Sequence, residues 1–312
     1  MICAGNASVF SRQRGPVGGR GRGGARSARV KIGAMKQEPT PIASTRIAFI
    51  GGGNMASAII GGLIQQGLGG DRITVVEPLP EQRARLQAQF GVRTEAEAGA
   101  DLADCGLVVW AVKPQIFKGV ASACAPQVGA ALHLSVAAGI RSDSMADWLG
   151  SERIVRAMPN TPALVGQGMT GLYARPAVAA ADRALIDAVI GTTGQFLWVE
   201  READLDAVTA LSGSGPAYVF YFLEAMRAAG TEMGLSAETA TRLAIGTFSG
   251  AAQLARDASE PPEVLRERVT SKGGTTYAAL SALEASGVKA SFVQAMHAAR
   301  LRAQQLGDEF GA

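Results

Sequence analysis

Hydrophobic residues in the first two thirds of the chain alternate between two patterns. Short apolar runs indicate strands, and stretches with apolar positions three and four residues apart indicate helices between them. The predicted strands are 46–50, 73–77, 107–112, 132–136, 154–157 and 170–173, and the predicted helices are 54–66, 81–89, 115–124 and 142–149. The run LVVWAV at 107–112 is apolar throughout, as is typical of a parallel strand covered on both faces. The pattern predicts an α/β fold with a Rossmann-type, doubly wound and mostly parallel sheet.

The strand pattern ends near Ala203, and only helical patterns follow. Predicted helices lie at 203–211, 216–233, 237–257, 262–269, 275–285 and 289–306. The helix at 237–257 has small residues all round, which favours close helix packing on more than one face: Ala240, Ala244, Gly246, Gly250, Ala251 and Ala252. We therefore expect an all-α C-terminal domain that completes its core in a dimer. The predicted divisions are a tail at 1–44, a dinucleotide-binding domain at 45–200, and a helical substrate-binding and dimerisation domain at 201–312.

A glycine-rich turn joins the first predicted strand to the first predicted helix. Its spacing is Gly51-x-Gly53-x-x-Ala56. In a dinucleotide-binding site the first glycine permits the tight turn, the second lets the backbone approach a pyrophosphate, and the small third residue lets helix and strand pack closely. A chain with 39 glycines also allows a plain glycine-rich turn, but the flanking strand and helix favour dinucleotide binding. The expected cofactor contacts here are Gly51, Gly53, Asn54, Met55 and Ala56.

Three later segments follow predicted strands, where a parallel sheet lines its ligand crevice. Lys113 could reach a cofactor or a substrate carboxylate, or it could be a strand-end lysine in solvent. The small side chains at 137–139 leave room for a nicotinamide ring, or they form only a turn. Two prolines stiffen the loop 158–162, which offers the amide of Asn160. The expected cofactor contacts at these strand ends are Ala111, Val112, Lys113, Pro114, Ala137, Ala138, Gly139 and Asn160.

One further segment, SKGGTT at 271–276, opens a predicted helix. Consecutive backbone N–H groups at a helix start form an anion site suited to a small carboxylate. Neither histidine, His133 or His297, lies near a crevice segment, so an acid or base for an alcohol substrate is not evident. With only two histidines, no metal site is expected.

Composition narrows the functional classes. The chain is 47% hydrophobic and 18% charged, and no uncharged apolar run reaches the length of a membrane span, so no membrane partner is expected. Three cysteines without paired spacing favour a reducing cytoplasm. Residues 1–34 hold seven of the 30 Lys and Arg residues and no acid, so the rest of the chain is mildly acidic and nucleic acid is not an expected partner.

The Arg- and Gly-rich first 34 residues cannot form a packed core. Three readings of them stay open: an inert tail or a mis-assigned start, with Met35 as the alternative start; a targeting segment; and a nucleic-acid contact. We expect that removing them leaves fold, assembly and turnover unchanged.

Five motifs in order resemble one enzyme family: GGGNMA at 51–56, AVKP at 111–114, MPNTPA at 158–163, LSGSGPAY at 211–218 and GGTT at 273–276. About residues 45–306 resemble pyrroline-5-carboxylate reductase. The resemblance implies NAD(P)H-dependent reduction of 1-pyrroline-5-carboxylate to L-proline, the last step of proline biosynthesis. It also implies a homodimer interlocked through the helical domain, often assembled further into a ring of dimers.

The resemblance also implies roles for individual residues. Thr276 matches the catalytic threonine whose hydroxyl approaches the substrate nitrogen. Gly273, Gly274 and Thr275 match the loop whose amides hold the substrate carboxylate, and Glu202 matches an acidic residue near the substrate. Many relatives have proline where this chain has Lys272.

The choice between the two nicotinamide cofactors depends on the end of the second predicted strand. Glu77 stands there, where an acidic side chain usually accepts from the ribose hydroxyls and repels a 2′-phosphate. Arg83 and Arg85 on the next helix could meet that phosphate or be solvated charges. Because the resembled family mostly favours NADPH, we expect NADP(H) as the preferred cofactor and NAD(H) as a second.

Two other functional classes stay open on the sequence. One is another imine or β-hydroxyacid reductase of related two-domain build, and the other is a non-catalytic nucleotide-sensing protein. The β-hydroxyacid enzymes carry a lysine acid on the long helix that corresponds to 216–233, where this chain has none.

Overall fold

An eight-stranded sheet forms the first half of the chain in the computed structural model, which describes residues 42–311. The strands are β1 Ile47–Ile50, β2 Ile73–Val76, β3 Arg93–Glu95, β4 Leu107–Trp110, β5 Leu132–Ser135, β6 Ile154–Met158, β7 Gly168–Ala174 and β8 Gly194–Trp198. Their order is β3-β2-β1-β4-β5-β6-β7-β8. Strands β1 to β6 pair in parallel, β7 is antiparallel to β6, and β8 is parallel to β7. The predictions for residues 1–34 lie outside the described residues.

Helices cover both faces of this sheet. They are α1 Asn54–Gln65, α2 Pro80–Phe90, α3 Pro114–Cys124, α4 Ser142–Leu149 and α5 Ala180–Ile190. Successive residues of β1 point to opposite faces, and Phe49 belongs to one buried cluster while Ile50 belongs to the other. Ile59 of α1 and Ile186 of α5 pack in the first cluster, and Phe117 of α3 packs in the second. The predicted doubly wound, mostly parallel fold is confirmed.

The predicted elements agree with the observed ones to within a few residues, but three elements were not predicted. Strand β3 is a short edge strand without apolar side chains, and its backbone pairing with β2 holds it. Helix α5 and strand β8 occupy 180–198, where the sequence did show helical spacing at Leu185, Ile186 and Val189. Omitting that second helix–strand pair was wrong.

The second half is helical, as predicted. Its helices are α6 Asp204–Val208, α7 Gly215–Glu232, α8 Ala237–Asp257, α9 Pro262–Arg268, α10 Thr275–Ala285 and α11 Val288–Phe310. A π-helical turn at Thr209–Gly213 joins α6 to α7. Helices α7 and α8 cross closely, because a Cβ on Gly230 would lie 2.8 Å from the Cβ of Ala240. Around Gly246 and Gly250 of α8, by contrast, no atom from another part of the described chain lies within 4 Å of where a Cβ would be. The predicted second packing face of α8 is therefore open in the single chain.

The end of α11 returns to the sheet half. A Cβ on Gly139 would lie 3.1 Å from the Cβ of Leu306, and Phe310 packs against the second buried cluster. The Ser144 hydroxyl donates to the carbonyl of Gly311 at 2.8 Å. The two halves thus share a packed junction. Among residues 42–311, no helix is both long enough and apolar enough to span a membrane.

Candidate active site

The glycine turn after β1 has the geometry that a pyrophosphate site requires. Gly51 has φ +94°, and a Cβ there would lie 2.7 Å from the carbonyl oxygen of Ala111, so only glycine fits. Gly53 caps α1 without a side-chain hydrogen bond to the helix, and its Cβ position is open. The first N–H groups of α1 are therefore available to a bound anion. Asn54 and Met55 lie in this first turn, and Ala56 is fully buried against the sheet.

Glu77 holds the middle of the glycine turn. Its Oε2 accepts from the N–H of Gly52 at 2.9 Å, and its Oε1 accepts from the N–H of Leu79 at 3.0 Å. Gln82 donates to the carbonyl of Gly52. The Glu77 side chain is thus directed inward, and the residue is only 9% exposed. Its contact with a ribose stays a prediction.

The ends of β4 and β5 lie beside the glycine turn. β1 and β4 are neighbours in the sheet although β2 and β3 separate them in sequence, and such a reversal of strand order is where dinucleotides bind in open α/β sheets. Ala111 contacts the turn at Gly51, Pro114 starts α3, and Lys113 is exposed. After β5, the N–H of Ala137 donates to Ser135 Oγ at 3.3 Å. The structure therefore brings the predicted cofactor contacts that follow β1, β4 and β5 together at the carboxyl ends of these strands.

Asn160 connects the loop after β6 to the π-helical turn. Its Nδ2 donates to the carbonyl and to the Oγ of Ser212, both at 3.2 Å. Its Oδ1 accepts from the N–H of Met169 at 3.0 Å, and the Ser212 hydroxyl donates to the Met169 carbonyl at 3.0 Å. The amide of Asn160 is therefore engaged within the protein, and a contact with the cofactor stays a prediction.

The π-helical turn at Thr209–Gly213 includes the first three residues of the LSGSGPAY motif. Such widened turns occur frequently at functional sites. Gly213 packs on β6, because a Cβ there would lie 2.4 Å from the Cε of Met158. The hydroxyl of Tyr218 donates to the carbonyl of Ala210 at 3.2 Å. Two of the motifs that were read separately in the sequence are thus in direct contact.

Glu202 lies in a buried polar network at the junction of the two halves. Its Oε1 accepts from Arg156 Nη1 and from the N–H of Ser142, both at 2.6 Å. Its Oε2 accepts from the Ser142 hydroxyl at 2.6 Å. The side chains of Arg156 and Glu202 are 7% and 18% exposed. Burial lowers the pKa of Arg156, and the Glu202 carboxylate opposes that shift. Glu202 therefore fixes the start of α4, while its contact with substrate stays a prediction.

The GGTT segment starts α10 as predicted. Gly273 has φ +73°, and Gly274 caps the helix without a side-chain hydrogen bond. Because no side chain caps the helix, its first N–H groups are available to an anion. Thr275 is exposed and Thr276 is half-buried. Among residues 42–311, no hydrogen bond or ion pair joins residues 271–276 to a strand end. Helix α10 packs against α11. The described chain thus places the predicted anion site on its helical half.

Several residues that build the site have no local sequence pattern that predicts their role. Arg156 and Ser142, which bind Glu202, lack a local pattern, since their partner is 46 and 60 residues away. Ser212 was included in a motif, but its pairing with Asn160 spans 52 residues. The only sequence signal for that contact is the presence of both the loop 158–162 and the LSGSGPAY motif.

The fold and the glycine turn define an oxidoreductase of the dinucleotide-binding class, and comparison with known proteins narrows this. Residues 202–306 match the family model "Pyrroline-5-carboxylate reductase dimerisation". Residues 46–139 match "NADP oxidoreductase coenzyme F420-dependent". The chain is 45% identical over 272 residues to a pyrroline-5-carboxylate reductase of Pseudomonas aeruginosa, covering 86% of this chain and 100% of that one. It belongs to the pyrroline-5-carboxylate reductase family, as the motifs predicted.

Solved structures give the same result. A pyrroline-5-carboxylate reductase from Coxiella burnetii matches with a TM-score of 0.79 and 37% identity, covering 84% of this chain and 98% of that one. A Plasmodium falciparum pyrroline carboxylate reductase with NADP bound matches with a TM-score of 0.77 and 28% identity, covering 85% and 99%.

Proposed function

We propose that this chain is a pyrroline-5-carboxylate reductase that reduces 1-pyrroline-5-carboxylate to L-proline with NAD(P)H in proline biosynthesis. The observation that carries the proposal is the glycine turn at Gly51, where no side chain fits. The chain also aligns with the full length of a reductase that is 45% identical to it. A bound reduced nicotinamide would supply the hydride to the imine carbon, and the imine nitrogen keeps the proton that it brings or receives.

In this proposal the chain's own residues bind and orient. The first turn of α1 binds the pyrophosphate, and residues 137–139 leave space for the nicotinamide ring. The N–H groups of Gly273, Gly274 and Thr275 bind the substrate carboxylate at the start of α10. The hydroxyl of Thr276 hydrogen-bonds to the ring nitrogen. Orientation of the two reactants is the main contribution, since an iminium needs little further activation.

NADP(H) is the preferred cofactor in this proposal, with NAD(H) as a second. The uncapped start of α1 and the open position at Gly53 suit the pyrophosphate that both cofactors share. The P. falciparum relative with NADP bound supports the preference.

We also infer that the chain works as a homodimer through its helical half. A surface groove of about 1090 Å³ runs between α7, α8, α10 and α11, and its lining is almost entirely apolar. Tyr221 is 69% exposed and Leu283 is 48% exposed there, which is unusual for a surface without a partner. The match to a dimerisation family model supports a second copy as the partner. A ring of dimers is the further assembly we propose.

Dimerisation and substrate binding share one helix. Ala279, Ala282 and Leu283 of α10 line the groove, and the same helix begins with Thr275 and Thr276. A second copy packed on the groove would therefore fix the helix that carries the substrate loop.

We also propose that the protein works in the cytoplasm, since the free thiols of Cys105 and Cys124 fit a reducing compartment.

The test is steady-state oxidation of NADPH and NADH with 1-pyrroline-5-carboxylate, with L-proline identified as product. Gly51→Ala should abolish the reaction and cofactor binding, because its Cβ would collide with the Ala111 backbone. Gly99→Ala is the matched control, since a Cβ there meets nothing within 4 Å. Absence of turnover in the wild type with both cofactors would refute the proposal, and turnover of a β-hydroxyacid instead would support the related reductase class.

A further inference from the structure

The turn after β2 carries a cation whose role the proposed reaction leaves open. In a Rossmann-type sheet the adenosine ribose lies at the end of the second strand, which here is Val76 followed by Glu77. Glu77 was expected to meet the ribose hydroxyls. In the structure its two carboxylate oxygens accept from the N–H groups of Gly52 and Leu79. This side chain therefore holds two turns together and is directed away from solvent.

Arg83 lies over the same turn from the first part of α2. Its Nη1 donates to the carbonyl of Glu77 at 2.7 Å and to the carbonyl of Pro78 at 2.9 Å. These two contacts fix the guanidinium at the strand end. A guanidinium has five N–H donors on three nitrogens, and within residues 42–311 no hydrogen bond engages Arg83 Nε or Nη2. No carboxylate of the described chain forms an ion pair with it.

The neighbouring Arg85 differs in each of these respects. It is exposed, and it lies two positions further along α2, which places it about 200° round the helix from Arg83. No hydrogen bond in the described chain fixes it near the turn. Arg83 is therefore the cation that is held in position, and Arg85 is a natural control.

We propose that Arg83 binds the 2′-phosphate of NADP(H) and so sets the preference for NADP(H) over NAD(H), with Glu77 acting as a positioning residue for the glycine turn. The inference rests on the dinucleotide binding in the proposed function. A planar guanidinium with free N–H groups suits bidentate binding of a phosphate. The ribose of NAD(H) has no phosphate at this point, so Arg83 adds nothing to its binding.

The experiment measures the dissociation constants of NADP⁺ and NAD⁺ by calorimetry on the full-length chain, without substrate. Arg83→Gln should weaken NADP⁺ binding by roughly tenfold or more and NAD⁺ binding by less than about twofold. Arg85→Gln should change neither by more than about twofold. Equal losses for both cofactors in Arg83→Gln would overturn the proposal, because Arg83 would then only support the turn. An Arg85→Gln variant that loses NADP⁺ selectively to the same extent would also overturn it.

A second variant serves if Arg83→Gln does not fold. Arg83→Lys keeps the charge but loses the planar pair of donors, so NADP⁺ binding should weaken selectively by about threefold. An equal change for NAD⁺, or no change for either cofactor, would overturn the proposal. Because no substrate is present, the binding result is independent of the activity. If Arg83 variants lose NADP⁺ binding selectively but the wild type does not reduce pyrroline-5-carboxylate, only the proposed function is refuted. If the wild type is active but Arg83 variants show no selective loss of NADP⁺ binding, only this inference is refuted.

Discussion

Asn160 and Ser212 connect the loop after β6 to the π-helical turn between α6 and α7. The Nδ2 of Asn160 donates to both the carbonyl and the hydroxyl oxygen of Ser212. The loop after β6 and the π-helical turn therefore keep a fixed relation to each other. The predicted cofactor contacts lie in the sheet half and the predicted substrate loop lies in the helical half, so this contact lies between the two predicted sites.

Asn160→Ala removes these bonds and leaves the N–H of Met169 without its side-chain acceptor. We expect the free energy of unfolding to fall by roughly 1–3 kcal/mol, measured by urea denaturation. Gln167→Ala is the control, since Gln167 is exposed in the same region and its side chain makes no hydrogen bond in the described chain. Equal stability of the two variants would show that the contact is not structural.

Thr276→Ala tests the catalytic hydroxyl. The variant should lose roughly tenfold or more in kcat on pyrroline-5-carboxylate while its cofactor affinity stays near that of the wild type, a loss of at least about 1.4 kcal/mol in transition-state stabilisation. Thr276→Ser keeps a hydroxyl at the helix start and should retain most of the rate. Unchanged turnover in Thr276→Ala would remove this residue from the mechanism.

His133 should make the fold acid-sensitive. Its ring is fully buried, its Nδ1 accepts from Trp110 Nε1 at 3.2 Å, and burial, with a smaller effect of Arg153, lowers its pKa from 6.5 to about 4. Above about pH 6.5 the ring is neutral in both the folded and the unfolded chain, and the free energy of unfolding is at its full value. As the pH falls towards 4, the unfolded chain takes up a proton that the folded chain does not, so up to about 3 kcal/mol is lost.

His133→Gln should remove this part of the acid dependence, because glutamine offers Trp110 an acceptor without titrating. The measurement is the free energy of unfolding at several pH values between about 7 and 4, compared with the wild type. His297→Gln on α11 is the control for loss of a histidine from the surface. A wild-type curve and a His133→Gln curve of equal slope would contradict the prediction.

Glu202→Gln tests the junction. The substitution leaves the buried guanidinium of Arg156 without its carboxylate, and we expect a loss of roughly 3 kcal/mol or more in stability. Glu200→Gln, at an exposed position two residues before it, should have little effect. A raised KM for the substrate at unchanged stability would instead support the predicted contact between Glu202 and the substrate.

Leu283→Arg tests the apolar groove as the dimer surface. The charged side chain would enter the groove that α10 helps to form, and the chain should become monomeric by light scattering and lose most of its turnover. Gln89→Arg on α2 adds the same charge at an exposed position outside the groove and should stay dimeric. A Leu283→Arg dimer with full activity would place the interface elsewhere.

The sequence predicted most of the fold because its local patterns are strong. The fully buried strand β1 and the turn at Gly51 follow from neighbouring residues alone. Strand β3 could not be predicted in this way, since RTE gains its structure from pairing with β2. Helix α5 did carry a readable pattern.

The site was less accessible to sequence analysis. Glu77, Asn160 and Glu202 were expected to face ligands, and those contacts stay predictions. What the sequence did not predict is that they form hydrogen bonds with groups 25, 52 and 60 residues away, respectively. Hydrogen-bond partners at such separations leave no periodic signal in a single sequence. What the motifs did establish is the family, and through it the expected roles of Thr276 and the GGTT loop.

The return of α11 to the sheet half sets an order for the maturation of the protein. Ser144 and Gly311, which are hydrogen-bonded, are separated by 167 positions, and Leu306 packs against Gly139 beside the expected nicotinamide site. During synthesis the N-terminal part folds first, so α4 and the loop before it gain their contacts with α11 only at a late stage of folding. The packing behind residues 137–139, the predicted nicotinamide position, is therefore completed only when α11 docks on the sheet half.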